Sequence, residues 1–150
     1  MRIVVGLSGV LLTSTHVLAT DGDRKSSKNP SIGTIPMETL QSLPYQCECE
    51  FYRDPTGGAT TVFATRRERV VAFVMADGQL VTLQRDGKPR NSRCRKNVRY
   101  HERWVAGPTS VILDLHVTGP GEEACWFKGK MSIAVGGRTT STSVSGACGC

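Results

Sequence analysis

Two C-x-C pairs bracket the body of this chain. Cys47 and Cys49 open it, Cys148 and Cys150 close it, and Cys94 and Cys125 lie between them. Residues i and i+2 of a strand face the same way, so the two thiols of one pair are neighbours but poorly placed to bond each other across an extended backbone. Pairing the first C-x-C with the last is the simpler solution. If the terminal strands run side by side and antiparallel, Cys47 meets Cys150 and Cys49 meets Cys148, which leaves Cys94 for Cys125. Six cysteines permit many other connectivities. Two further readings use the same thiols. Four thiolates from the two pairs would suit a tetrahedral Zn²⁺ or a softer ion such as Cu(I). A redox-active pair is the other, although C-x-x-C is missing and nothing in the spacing marks an activated thiol. An oxidising compartment favours the disulfide scaffold, and that reading needs no metal and no other cofactor.

The beginning of the chain points to such a compartment. Arg2 supplies a positive start, residues 3–12 form a short apolar run, and Val17-Leu18-Ala19 offers a small-residue cleavage pattern. This is the layout of a secretory signal peptide over residues 1–19. The apolar run is about half of the ~20 residues a membrane span needs, so no span is expected after cleavage. Residues 20–44 read as a flexible tether. Their first part is polar and charged and cannot bury enough apolar surface to offset the entropy of ordering. Residues 32–43 are mildly apolar, and Pro36 suits the start of one or two helical turns over residues 36–43.

From Tyr45 onward the pattern is that of strands. Runs at 45–53, 60–65, 68–76, 79–85, 98–106, 109–118, 125–135 and 138–145 are rich in β-branched and aromatic residues. Turn signals separate them, and Asp77-Gly78 between two apolar runs is a strong hairpin signal. Several runs alternate, as expected of a sheet with one wet face. Val111, Leu113, Leu115 and Val117 share one side of their run, and Trp126, Lys128, Lys130 and Ser132 share the polar side of the next. The expectation is an all-β domain over residues 45–150, a small antiparallel barrel or sandwich of about eight short strands stabilised by disulfides.

The formal charge is +6, and much of it is concentrated between Arg85 and Trp104. Arg93, Arg95, Lys96, Arg99 and Arg103, with Tyr100 and Trp104 interleaved, form a basic and aromatic stretch suited to an anionic envelope polymer or an acidic protein. The same stretch also suits a plain solvated surface. No recognised nucleic-acid-binding motif accompanies it. For catalysis the available pieces are His101, Glu102, Asp114, His116, Glu122 and Glu123. Asp114 and His116 share a strand face, but there is no G-x-S-x-G, no H-E-x-x-H and no phosphate-cradling glycine loop. The chain therefore reads as non-enzymatic, a periplasmic or secreted binding or structural module.

Two resemblances add to this. Gly119-Pro120-Gly121-Glu122-Glu123, Phe127-Lys128-Gly129, Gly136-Gly137-Arg138 and the ending Gly146-Ala147-Cys148-Gly149-Cys150 resemble an uncharacterised exported bacterial β-domain that ends in G-x-C-G-C. Tyr45-Gln46-Cys47 and Trp126-Phe127-Lys128-Gly129 are similar to segments of the periplasmic inhibitors of chicken-type lysozyme. That resemblance implies a disulfide-tied barrel of eight strands, a lysozyme-like enzyme as partner, and Lys128 as the residue that reaches the enzyme's active site. The family's serine-glycine-x-x-tyrosine motif is absent. A chain of charge +5 after loss of Arg2 with the leader would also be repelled at long range by a cationic lysozyme.

Overall fold

The computed structural model describes residues 28–42, 48–53, 60–66, 69–88, 94–121 and 123–149. In chain order these form β1 (Ile32–Gly33), α1 (Met37–Ser42), β2 (Glu48–Arg53), β3 (Thr61–Arg66), β4 (Val71–Ala76), β5 (Gln79–Asp86), β6 (Arg99–Ala106), β7 (Thr109–Pro120), β8 (Ala124–Val135) and β9 (Arg138–Gly149). From β2 to β9 each strand pairs antiparallel with the next in sequence. β9 returns to pair with β2, so eight strands close an up-and-down barrel. Closure leaves these strands without a free edge, which open sheets must otherwise protect. The expected all-β class is present, and of the two architectures expected it is the barrel. The expected signal peptide, the first part of the expected tether and the expected Cys47–Cys150 bridge lie outside the described residues.

Alternation builds the interior. β4 and β7 bury every second residue, as in Val111, Leu113, Leu115 and Val117. An eight-stranded barrel is just wide enough for side chains to fill it, and here aromatic rings do most of the filling. Phe51 contacts Phe63 and Phe127 at centroid distances of 6.1 and 6.2 Å. Phe63 meets Trp104 edge-on at 5.6 Å, and Tyr100 meets Phe127 at 5.6 Å. These are the tilted and edge-to-face arrangements that ring quadrupoles favour. Arg85 also points inward. Its guanidinium lies 5.3 Å from the centre of the Trp104 ring and donates to Glu102 Oε1 at 2.7 Å. A buried charge needs such a partner.

Two disulfides among the described residues fix the frame. Cys49 and Cys148 are direct partners on β2 and β9, so their bond crosses the seam where first and last barrel strands meet. Cys94–Cys125 ties the turn before β6 to the start of β8. Both bridges are those expected. Because the seam bond uses one sulfur from each C-x-C pair, a four-thiolate metal site is not assembled in this oxidised state.

The described part of the segment before the barrel, residues 28–42, lies against it. β1 pairs with the end of β4, the Ile35 amide donates to Thr61 O at 2.8 Å, and α1 forms where Pro36 suggested helical turns. Ile35 and Leu40 pack on Ala64, with Phe73 and Met75 beside them. All six residues of β3 are consequently buried, so this part of the barrel has no wet face. Among the described residues no helix is long and apolar enough to cross a membrane.

Candidate binding face

The outer face of β6, β7 and β8 carries a group of exposed cations. In the barrel register Arg99 lies opposite His116, His116 opposite Lys128, and Lys128 opposite Ser145 of β9. The neighbouring row runs His101, Asp114, Lys130, Ser143. Adjacent strands are about 4.8 Å apart, so the Arg99–His116–Lys128 row covers roughly 10 Å across the sheet. Arg99, His116, Lys128 and Lys130 are all exposed.

A basic turn is held against the same end of the face. The Asn97 amide donates to Val117 O and the Val117 amide to Val98 O, each at 2.9 Å. Asn97 adopts φ 69°, a left-handed conformation that Asn accepts more readily than most residues. Together with Cys94–Cys125 these bonds place exposed Arg95 and Lys96 beside the end of β7. Trp126 is there too, opposite Gly119 and two residues from Lys128 on the same strand face, with 51 % of its surface exposed. None of Arg95, Lys96, Arg99, Lys128 and Lys130 joins an ion pair among the described residues.

The basic stretch read from the sequence is thus divided by the strand period. Arg95, Lys96, Arg99 and Lys128 come together on the outside. Tyr100 and Trp104 point into the barrel, Trp104 with 0 % exposure, and are not part of the surface. Arg103 is exposed but turned to Asp86 at 3.2 Å. Arg93 lies outside the described residues. Sequence reasoning assembled the face without Trp126 and His116. The alternation of β8 already put Trp126 beside Lys128, and only the cross-strand register adds His116 between Arg99 and Lys128.

Of the groups considered for catalysis, His101 Nδ1 and Asp114 Oδ1 stand 2.5 Å apart on the exposed face. Glu102 is turned inward to Arg85. Glu123 is exposed at the β7–β8 turn, and Glu122 lies outside the described residues. The His101–Asp114 contact is a cross-strand hydrogen bond between residues in register, open to water. Among the described residues no three His, Cys, Asp or Glu side chains are placed to hold a metal ion. Compared with protein-family models, curated proteins and solved structures, the chain finds no match.

Proposed function

We propose that this protein is a non-enzymatic exported binding module that holds an anionic partner on the outer face of β6–β8. One observation carries the reading. Arg95, Lys96, Arg99 and Lys128 reach the same end of the barrel from a disulfide-tethered turn and two strands, without carboxylates paired to them among the described residues. A rigid cluster of unneutralised cations sums to a local positive potential, whereas cations on mobile loops spread theirs out. Binding of a polyanion at low and high salt tests this. Affinity should fall steeply with salt, and replacing Arg95, Lys96, Arg99 and Lys128 together by Ala should weaken it by at least about tenfold, or about 1.4 kcal/mol. Binding that survives high salt and the fourfold substitution would remove the reading.

A second reading is inhibition of a lysozyme-like enzyme through Lys128. Its support is the exposure of Lys128 on an eight-stranded, disulfide-joined barrel, the architecture which that resemblance implies. It predicts stoichiometric loss of chicken-type lysozyme activity, reversed by Lys128→Ala. Full enzyme activity in excess protein would exclude it.

A further inference from the structure

Resting on the anion-binding reading above, we infer that the ligand is an acidic polysaccharide, with a sugar ring stacked on Trp126 and its acid groups along Lys128, His116 and Arg99. Among the described residues Trp126 is the only exposed aromatic among the large hydrophobic side chains. Its indole is also seated. A Cβ placed on Gly121 would come within 2.8 Å of Trp126 Nε1, so the β7–β8 turn passes close under the edge of the ring. A glycine there lets the turn support the indole and leave a face free. Such a face is apolar and carries negative π density, which suits the C–H face of a sugar ring.

Two further features fit a sugar. Along the next strand the outward residues Ser141, Ser143 and Ser145 form a hydroxyl row beside Ser132, Lys130 and Lys128, with Ser132 and Ser141 bonded at 2.9 Å. Hydroxyls both donate and accept, as the hydroxyls of a glycan require. The cations are interrupted as well. Asp114 lies between His101 and Lys130 in its row, and Glu123 is exposed at the turn near Trp126. Single-stranded nucleic acid calls for successive stacking platforms along a continuous cationic track, and this face offers one platform and a broken track. An anionic bilayer would meet Glu123 beside the tryptophan and repel it. A glycan with acid groups set apart by neutral hydroxyl-bearing rings matches the spacing of charge and hydroxyl.

The two tryptophans make the test direct, because Trp104 is buried inside the barrel and Trp126 is not. Quenching of intrinsic fluorescence by acrylamide would be followed in the oxidised full chain as polygalacturonate, inorganic polyphosphate or a single-stranded oligonucleotide is added. Polygalacturonate should protect Trp126 and bind more tightly than polyphosphate at equal charge. Trp126→Ala should weaken polygalacturonate roughly tenfold, the scale of one aromatic contact, and leave polyphosphate unchanged. Trp126→Phe, which keeps an aromatic face, should retain most of the binding. Equal affinity for polyphosphate and polygalacturonate, both insensitive to Trp126→Ala, would overturn the sugar and leave the anion-binding reading standing. Tightest binding to the oligonucleotide, lost in Trp126→Ala, would overturn it in favour of a base-stacking surface. No binding to any of the three would remove both readings.

Discussion

Tyr52 stands half-buried on the outer side of β2, and its hydroxyl donates to Glu50 Oε2 at 3.2 Å. Burial first, then the Glu50 carboxylate charge and this hydrogen bond, push its pKa above the ordinary 10.0. The folded state therefore keeps the phenol proton where the unfolded chain has lost it. The resulting stabilisation is full below pH 10.0 and is lost as pH rises through the folded-state value. Tyr52→Phe should flatten that part of the alkaline unfolding curve, measured by chemical denaturation at a series of pH values. An unchanged slope would show that other groups set it. Gly146 makes a different residue-scale demand. It faces Phe51 across the seam, and a Cβ there would come within 2.1 Å of Glu50 O and 2.8 Å of Phe51 Cα. Backbone cannot yield as a flexible side chain does, so Gly146→Val should destabilise the fold by about 1–3 kcal/mol or more. A smaller loss of unfolding free energy in urea would mean that β2 and β9 separate easily. Residue identity also set a limit on what sequence could reveal. In β6 the set Arg99, His101, Arg103 and the set Tyr100, Glu102, Trp104 both carry charge, so alternation alone does not say which faces in. The deciding fact is that Arg85 supplies a buried partner for Glu102, a contact between strands that no local pattern records.

At the level of elements, strands were far more legible than their surroundings. Each barrel strand coincides with an expected run because turn chemistry punctuates the sequence. Asp77 and Gly78 adopt φ 50° and 78°, the pair of positive values that a two-residue hairpin requires. Boundaries moved where pairing outlasts propensity. β7 runs on through Gly119 and Pro120, and β9 through Gly149, because β8 supplies partners for both. The segment from β1 to α1 was less legible, since its few apolar residues matter only once Ala64 and Phe73 are there to receive them. Asp77 is the latch of that segment as well as a turn residue. Its Oδ1 accepts from the Ser31 amide at 2.7 Å, and its Oδ2 lies 3.5 Å from Arg138 Nη2, while Arg138 also donates to Lys28 O. Asp77→Gly keeps the turn conformation and removes the carboxylate. Hydrogen exchange should accelerate at the Ser31 and Ile35 amides while the barrel amides keep their protection. Uniform acceleration would show instead that the segment and the barrel unfold together.

At the scale of the whole molecule, Cys49–Cys148 and Cys94–Cys125 divide the labour between scaffold and proposed binding face. Cys49–Cys148 closes a loop of 99 residues across the barrel seam, and Cys94–Cys125 closes one of 31. If chain entropy dominates, removing the longer bridge should cost roughly 2–5 kcal/mol and removing the shorter one about 1 kcal/mol less. Unfolding by urea without reductant, with Cys47 and Cys150 also replaced by Ala in both proteins so that no neighbouring bridge closes the same loop, should give that order for Cys49→Ala/Cys148→Ala against Cys94→Ala/Cys125→Ala. Polyanion binding should follow the opposite order. The seam bond lies inside the barrel, with both sulfur-bearing residues buried, and the outer face of β6–β8 depends on it only through global stability. The shorter bridge ties the turn that carries Arg95 and Lys96 to the start of β8, so its loss should free the basic turn and spread its charge even while the barrel stays folded. The Cys94→Ala/Cys125→Ala protein should therefore bind the polyanion more weakly under conditions where both variants are fully native. If the seam variant loses as much affinity as the turn variant under those conditions, the face is not organised by the tethered turn, and the basic cluster has to be sought on β6–β8 alone.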